Sequence, residues 1–283
     1  ARYTGKPMAK IHGIPMIGHC FYRVKMCMNL QEVYVATCDD EIFNYIESIG
    51  GNAIMTSDSH ERASDRTAEA MIKIEEITGK KMDIVVMVPG DEPMITPEMI
   101  TDALKPFENN DTVNVVNLMA SMKSIDEFED PNEVKVVVDN QDFAMYFSRE
   151  SIPSNKKYDG KIVAFKQVCI ISFKRDHLLQ YDNLKATPLE IIESVDMNRF
   201  LEHGIKVKMV TTKYETYSVD RPEDLDKVIE GIEIVKKDLI SIFKKNGIEM
   251  IDCINKKFDP NFHQAMLEIQ DSSKEPGTVV QEI

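Results

Sequence analysis

The chain lacks several features that would place it in a specialised class of protein. Its five cysteines are scattered and include no CxxC pair, which argues against a disulfide framework and against a cysteine zinc site. No apolar run approaches the roughly 20 residues that a membrane-spanning helix needs, and the first residues do not have the pattern of a signal peptide. Together these absences predict reduced thiols in a cytoplasmic protein.

Positive charge is scarce as well. The chain has 34 Lys and Arg residues against 48 Asp and Glu, so its net charge is −14. An acidic surface repels polyanions, and we therefore expect neither nucleic acid nor an anionic membrane as a partner. If the ligand is itself an anion, its pocket must have a local excess of positive charge on this acidic protein. With 283 residues, the chain is long enough for one large domain, or for one domain and an appendage.

Strand and helix patterns alternate through about the first 110 residues. Short apolar runs rich in β-branched residues, such as 33–37 and 83–88, alternate with helical patterns such as 63–77. This alternation predicts a mostly parallel sheet covered by helices on both faces. Residues 113–173 contain more strand-like runs separated by turn residues, which predict a smaller antiparallel lobe. The predicted fold class is therefore α/β, with a mixed, mostly parallel sheet.

The first functional signal is the segment VPGDEP at residues 88–93. It follows a predicted buried strand, and its Gly and Pro break the chain at the carboxyl end of that strand, where Asp91 and Glu92 remain. Ligands of open α/β sheets bind at this edge, and a carboxylate there suits Mg²⁺ carried in by the phosphates of a nucleotide. A solvated turn explains an isolated GDEP at least as well, so other segments must decide.

Eight short motifs follow one another along residues 1–228. In chain order they are GKPMAKIHGIPMI at 5–17, VAT at 35–37, MT…H…SDR at 55–66, GDEP at 90–93, PNEVKVV at 131–137, YFSRESIP at 146–153, TPLE…E…R at 187–199 and VDRPEDL at 219–225. In this order and spacing they resemble the CMP-Kdo synthetase (3-deoxy-manno-octulosonate cytidylyltransferase) family. Each motif is weak alone, but the series is specific.

The resemblance implies a nucleotidyltransferase with a nucleotide-diphospho-sugar-transferase-like fold. In such an enzyme the anomeric hydroxyl of a 2-keto sugar acid attacks the α-phosphate of CTP. The products are a CMP-sugar acid, here CMP-3-deoxy-manno-octulosonate or a related compound, and pyrophosphate. The resemblance further implies a Mg²⁺-dependent homodimer that serves lipopolysaccharide or surface-glycan biosynthesis.

The same resemblance assigns roles on the nucleotide side of the site. It implies that Lys6, Asp91 and Asp220 are catalytic, and that the two aspartates bind the magnesium. Arg2 and Lys6 match basic residues that bind phosphate, and Arg66 matches an arginine that contacts the nucleotide. Asp220 alternatively fits the N-cap of the helix that begins at Pro222.

On the acceptor side, the resemblance implies three residues. Arg149 is expected to pair with the carboxylate of the sugar acid, and Glu190 and Glu193 to hydrogen-bond its hydroxyls. Each has a simpler explanation as well. Arg149 follows a predicted strand and fits an exposed strand end, while the two glutamates lie at the start of a predicted helix, where the dipole favours acids without any ligand.

The sequence departs from the family pattern at positions that face the sugar acid in the family. Gln167 and Ile171 replace a His and a Tyr of the motif KHxGxY, and Pro89 replaces the Gln that precedes GDEP. The acceptor is therefore alternatively an amino-deoxy analogue, or another small acid such as a phosphonate or a phosphorylated compound.

The beginning of the sequence departs as well. The family opens with a strand and a basic loop of the form ARxxSxRxPGKP, of which only ARYTGKP is present at 1–7. We expect the strand and part of this loop to be missing from the sequence, because a phosphate-binding loop without its Ser and second Arg would be weak.

Residues 229–283 do not continue the resemblance to the CMP-Kdo synthetase family. The runs KFDPNFHQAM at 257–266 and GTVVQ at 277–281 resemble part of the GrpE nucleotide exchange factors. We therefore predict a cytidylyltransferase domain at 1–228 and a partial GrpE-like segment at 229–283, with a final strand that lacks a partner. An incomplete β-domain leaves unpaired edges. The alternative function is a protein that binds a DnaK-type chaperone through this tail and has an inactive first domain.

Overall fold

The computed structural model describes residues 5–108, 110–154, 156–157, 163–214, 218–219, 221–249, 251–270 and 273–282. The contacts within the chain divide it into two units, Ala1–Ile229 and Glu230–Ile283, and each is described by itself. In the described part of the chain, no helix combines the length and the apolar character needed to cross a membrane.

The first half of the larger unit alternates strands and helices. In chain order its elements are a 3₁₀ turn at Lys6–Met8, β1 Lys10–Ile11, β2 Ile14–Pro15, α1 Met16–Lys25, β3 Tyr34–Thr37, α2 Asp40–Ser48, β4 Asn52–Met55, α3 Ala63–Thr78, β5 Ile84–Met87 and α4 Pro97–Glu108. Local chemistry fixes several ends. The Asp39 carboxylate accepts hydrogen bonds from the first amides of α2, and Gly79, with φ of 68°, ends α3 in the left-handed conformation.

The second half contains longer strands and shorter helices. Its elements are β6 Val115–Ser121, α5 Ile125–Glu129, β7 Lys135–Val138, β8 Ala144–Ser148, β9 Phe165–Lys174, α6 Arg175–Asn183, α7 Pro188–Glu193, α8 Met197–Glu202, β10 Lys208–Thr212 and α9 Pro222–Lys245, which extends into the second unit.

The central sheet is organised around β9. Strands β5, β6 and β7 all run antiparallel to β9, and β10 runs parallel to β6. Four strands, β5, β6, β7 and β10, therefore share one direction, while β9 runs against them. Strand β8 pairs antiparallel with β7 at the end of the sheet. The predicted α/β class, with a mixed sheet and a smaller antiparallel part, is confirmed.

Side chains on the two faces of this sheet enter two different cores. Val115 and Met119 of β6 pack with residues of α3, α6 and α8, whereas Leu118 and Ala120 of the same strand pack with residues of α1 and α4. Such alternation is what a strand buried on both faces requires. It explains why these strands are almost continuously apolar in the sequence.

Strands β3 and β4 form a separate parallel pair. Among the described strands they pair only with each other, and β5 pairs only with β9. Helix α3 packs against β3, β4 and β5, so this helix connects the pair to the central sheet by side-chain contacts rather than by backbone hydrogen bonds.

The smaller unit contains the last part of α9 and a short antiparallel contact. Lys257 forms a bridge with Thr278, and the amide of Asn255 donates to the carbonyl of Val279 at 2.9 Å. The prediction of a final strand without a partner is therefore wrong. The run KFDP supplies the partner, a long-range pairing that no local pattern reveals.

We expect the amides of β3 and β4 to exchange with solvent at least about tenfold faster than those of β6 and β9, because a separate two-stranded pair opens at lower free energy than the centre of a larger sheet. Hydrogen exchange followed by mass spectrometry of peptides covering 34–37, 52–55, 115–121 and 165–174 measures this difference. Equal protection of all four peptides would contradict it.

Candidate active site

A cavity of about 1860 Å³ runs beside β3 and β5 and extends to the residues that follow β5. Four of the eight predicted site residues line it: Lys6, Arg66, Asp91 and Arg149. Glu190 and Glu193 are not part of its wall. Arg2 and Asp220 lie outside the residues that the structure describes. The cavity thus brings together predicted site residues that are far apart in the chain, from Lys6 to Arg149.

Lys6 and Asp91 form an ion pair at the carboxyl end of β5. The Lys6 ammonium Nζ lies 2.5 Å from Asp91 Oδ2 and 3.2 Å from the carbonyl oxygen of Val219. The amide of Val219 in turn donates to the carbonyl of Asp91 at 3.0 Å. Segments containing residues 6, 91 and 219 are therefore held at one point, and the motif VDRPEDL lies directly beside GDEP.

Glycine is required where the chain turns into this site. A Cβ at Gly90 would come within 2.7 Å of Ile17 Cδ1 in α1, so a larger residue there would force the helix side chain to shift. Gly5, with φ of 73°, has the left-handed conformation directly before Lys6. Gly90 thus lets α1 approach the end of β5, and Gly5 lets the chain adopt the turn that leads into Lys6.

Glu92 is the buried member of the acidic pair. It is 4% exposed, and Ser218 Oγ donates to its Oε1 at 3.2 Å. Burial, together with the charge of Asp91, raises the pKa of Glu92 to about 7. Its Oε2 is buried and has no hydrogen-bond partner among the described residues. A carboxylate oxygen that has no hydrogen-bond partner and lies next to Asp91 in the chain is a ligand atom that suits a hard cation.

A complete metal site is not present within the described residues, where no group of three or more His, Cys, Asp or Glu side chains is placed to hold an ion. Asp91 and Glu92 supply only carboxylate oxygens, which fit Mg²⁺ better than a softer metal. The residues that are described are therefore compatible with Mg²⁺, but they form only part of a coordination shell.

Arg66 reaches the cavity from α3. Its Nη1 donates to Thr56 Oγ1 at 2.5 Å and to the carbonyl of Ser57 at 3.2 Å. Both partners directly follow β4, so these hydrogen bonds hold the guanidinium at the end of the β3–β4 pair. Because a guanidinium has five donors, it can bind an anion while these two contacts orient it.

The guanidinium of Arg149 is bonded to the protein, unlike that of an arginine at an exposed strand end. Its Nε donates to the carbonyl of Glu193 at 2.6 Å, Nη1 to that of Pro131 at 3.0 Å and Nη2 to that of Ser194 at 3.4 Å. The carbonyls of Glu193 and Ser194 are at the carboxyl end of α7, where a cation is favoured. The three bonds fix the plane of the guanidinium at the cavity wall.

Glu190 is engaged in a buried ion pair. Both of its oxygens accept from Arg199, at 2.6 and 2.7 Å, and the Arg199 guanidinium lies 4.1 Å from the ring centroid of Tyr181. Glu190 is 1% exposed, and its Oε2 also accepts a hydrogen bond from the amide of Thr187, the residue before α7, at 3.3 Å. The simpler explanation from the sequence, an acid favoured at a helix start, agrees with these contacts, while a role with sugar hydroxyls stays a prediction.

Glu193 is likewise saturated by protein donors. Tyr146 donates to its Oε1 at 2.6 Å, Ser148 Oγ to the same atom at 2.9 Å, and the Arg149 amide to Oε2 at 2.7 Å. Burial alone would raise the pKa of Glu193, but these hydrogen bonds hold it below its ordinary value. Glu193 thus positions Arg149, whose amide and guanidinium both bond to it.

Lys166 lines the cavity but is not among the predicted site residues. It forms ion pairs with Glu127 at 2.7 Å and Glu133 at 3.2 Å. Although burial lowers the pKa of Lys166, the pairing with these glutamates raises it above its ordinary value, so the ammonium stays charged. The sequence contains a signal that could have identified Lys166, because this residue is the first of the segment that aligns with the family motif KHxGxY.

The fold and this site are those of a nucleotidyltransferase. The family model described as Cytidylyltransferase matches residues 1–209. The 3-deoxy-manno-octulosonate cytidylyltransferase of Geotalea daltonii is 38% identical over 82% of this chain and 93% of its own length, and that of Fusobacterium nucleatum is 39% identical over 82% and 92%. The chain belongs to the cytidylyltransferase family.

A solved structure supports the same assignment. The structure of CMP:2-keto-3-deoxy-manno-octonic acid synthetase complexed with CTP superposes with a TM-score of 0.75 at 34% identity, over 82% of this chain and 93% of that one. This chain therefore shares its architecture with a synthetase whose solved structure contains CTP.

The second family model, GrpE, matches residues 177–283 and overlaps the first match between 177 and 209. Within the overlap, Leu178 and Phe200 are fully buried in the core shared with β6 and β9. The first part of this match therefore belongs structurally to the transferase unit, and only the part after Ile229 forms the smaller unit.

We expect Glu190→Gln to lower the free energy of unfolding by about 1.5–3 kcal/mol, because it removes the charge that Arg199 contacts through two hydrogen bonds and leaves Asp65, at 3.2 Å, as the carboxylate that pairs with Arg199. Chemical denaturation measures the change. Glu76→Gln, on the exposed face of α3, is the matched control and should stay within about 0.5 kcal/mol of the unchanged protein. A stable Glu190→Gln protein with a raised KM for the acceptor would instead support a sugar-binding role.

Proposed function

We propose that the first unit catalyses cytidylyl transfer from CTP to 3-deoxy-manno-octulosonate in the cytoplasm, for lipopolysaccharide or surface-glycan biosynthesis. A bond forms between the anomeric oxygen of the sugar acid and the α-phosphorus of CTP, and the bond from that phosphorus to the β-phosphate oxygen breaks. The hydroxyl proton is released, and CMP-sugar acid and pyrophosphate leave. The observation that carries this proposal is the Lys6–Asp91 pair at the end of β5, in a cavity that Arg66 and Arg149 also line.

The cations of the cavity suit the charge of the reactants. A triphosphate brings about four negative charges, and phosphoryl transfer depends on positioning and on neutralising the charge that develops. Lys6 is held by Asp91 and by a backbone carbonyl, and these contacts keep its ammonium group at the end of β5. Arg66 is oriented by Thr56 and Ser57, and Arg149, which also lines the cavity, is proposed to pair with a carboxylate on the acceptor.

We propose Asp91 and Asp220 as the residues that bind Mg²⁺. In support, Val219 is hydrogen-bonded to Asp91, which brings the residue before position 220 to the same sheet edge. Mg²⁺ bound there would neutralise phosphate oxygens and help to orient the sugar hydroxyl. Glu92, the neighbour of Asp91 in the chain, contributes a buried oxygen that has no hydrogen-bond partner among the described residues.

The acceptor is proposed to be the 2-keto sugar acid itself, with an amino-deoxy analogue or a phosphonate as alternatives. Pro89 and Gln167, which depart from the family, both line the cavity. Ile171 also lines it but is 2% exposed and packs in the core, so its change from Tyr removes a polar group from the wall.

A homodimer is proposed for the assembled enzyme. Ile191 and Ile192 are adjacent in α7 and are 62% and 74% exposed, and neighbouring exposed apolar side chains are typical of an association surface. Sedimentation velocity distinguishes a dimer from a monomer.

A second candidate function, contact with a DnaK-type chaperone through the tail, is favoured by the GrpE match. The tail also exposes large apolar side chains, including Phe262 at 70% and Leu267 at 77%. Binding of purified chaperone to the full chain, measured by calorimetry, tests this function independently of catalysis.

Asp91→Asn is expected to lower kcat/KM by about 10²–10³-fold, because it removes the charge that orients Lys6 and the proposed metal ligand. Pyrophosphate release from CTP and 3-deoxy-manno-octulosonate is the measurement. Asp111→Asn, in an exposed loop, should keep full activity. The proposal fails if the unchanged protein releases no pyrophosphate with any acid of the acceptor panel.

Removal of residues 230–283 should leave kcat and KM within about twofold of those of the full chain, because all the described residues that line the cavity belong to the first unit. The same assay measures this effect. The full chain is the control, and circular dichroism checks that the shortened protein is folded. Loss of activity in a folded, shortened protein would show that the tail takes part in the reaction.

A further inference from the structure

Strand β9 contains a bulge at the wall of the cavity. Asn117 of β6 lies opposite Ile171, whereas its neighbour Leu118 lies opposite Val168. Cys169 and Ile170 therefore have no partner in β6, and β9 contains two extra residues at this point. Bulges beside active sites commonly redirect side chains. Here Gln167, Cys169 and Ile171 line the cavity, while Val168 and Ile170 enter the opposite core.

The side chain of Asn117 fills this bulge. It is completely buried, and its Nδ2 donates to the carbonyl of Val168 at 2.6 Å and to that of Leu118 at 3.0 Å, with the carbonyl of Ile170 at 3.3 Å. Carbonyl oxygens accept only, so the nitrogen of this amide must face them. The backbone of the bulge thereby fixes which way the Asn117 amide points.

That orientation determines the orientation of Gln167. Asn117 Oδ1 lies 2.7 Å from Gln167 Nε2, and an oxygen acceptor at that distance requires the nitrogen of Gln167 to donate to it. One of the two N–H groups of Gln167 Nε2 is used in this bond, and Gln167 Oε1 is then the acceptor that this residue can offer to the cavity. Within the described residues, the bond to Asn117 is the one side-chain hydrogen bond that Gln167 makes.

The acceptor character of this atom selects a chemical class. A carbonyl oxygen repels phosphate and carboxylate oxygens and binds a hydrogen-bond donor. Arg149 lines the same cavity, where its guanidinium is held by three backbone carbonyls, so its positive charge suits the anionic part of a substrate. The combination fits a small acid that also has hydroxyl or amino substituents, rather than the triphosphate.

We propose that Gln167 determines acceptor specificity by accepting a hydrogen bond from a hydroxyl or amino substituent of the acceptor, and that Asn117 is the positioning residue that orients it. This inference rests on the proposed function for the identity of the reaction. It assigns a role to the bulge, to a buried Asn and to a position at which the chain departs from its family.

The variant Gln167→Met keeps the length of the side chain and removes the acceptor. We expect the Kd of the acceptor to rise about 5- to 10-fold and the KM of CTP to stay unchanged. The loss should be confined to acceptors that have the recognised substituent. The deoxy analogue that lacks it should bind the variant and the unchanged protein equally well, whereas analogues lacking other hydroxyls should still be affected by the substitution. Comparing the hydroxyl acceptor with its amino-deoxy analogue then shows which substituent is recognised.

Acceptor binding is measured by calorimetry without CTP, so that the result does not depend on turnover and a failure of the proposed reaction is recognised separately. Gln180→Met, on the exposed side of α6, is the matched control. Asn117→Asp, which removes the donors to the bulge, should raise the same Kd without adding to the effect of Gln167→Met in the double variant. Thermal melting confirms that each variant is folded.

An unchanged Kd in a folded Gln167→Met protein overturns the proposal. A rise in the KM of CTP alone, or failure of the unchanged protein to bind any acceptor of the panel, overturns it as well. If the Asn117 variant does not fold, the pattern of deoxy analogues with Gln167→Met still decides the role of Gln167.

Discussion

The structure depends on the ten residues of β9. This one strand pairs with β5, β6 and β7, so it connects the edge that ends in GDEP with the antiparallel part that supplies Arg149. Its two faces enter separate cores through Ile171 and Phe173 on one side and Val168 and Ile170 on the other. A buried polar side chain is costly when it has no partner. Asn117, in the neighbouring strand β6, is bonded at both ends of its amide, to the carbonyl of Val168 and to Gln167.

Much of the fold follows from patterns that are local in the sequence. The alternation of β-branched runs with helical spacing predicts the elements up to α4, and Asp39 and Gly79 mark helix ends by their own chemistry. The pairing of β9 against three strands is not local, since a continuous apolar run is compatible with either direction. The contact between residues 257 and 278 was missed for the same reason, because it joins segments that are far apart in the chain.

In the site, too, motifs predict some residues, whereas the contacts between them follow only from the fold. Lys6 and Asp91 were predicted from motifs, and the structure brings them into contact. Glu190 and Glu193 were also chosen from a motif, but a motif does not reveal which oxygens are already occupied. The partners Arg199, Tyr146 and Ser148 are separate in sequence and meet only in the fold. Gln167 was recognised as a departure, whereas the reason for its orientation, a buried amide in another strand, needed coordinates.

The contact at Val219 shows how main-chain atoms can hold a site together. Both of its bonds, one from its amide to Asp91 and one from Lys6 to its carbonyl, use the backbone. Any apolar residue that fills the same buried space keeps both bonds, so the position can change in identity while its role is preserved. Proline is the exception, because it has no amide hydrogen. Related proteins are therefore expected to preserve the backbone conformation at this position rather than the residue type. A search for invariant side chains would overlook it.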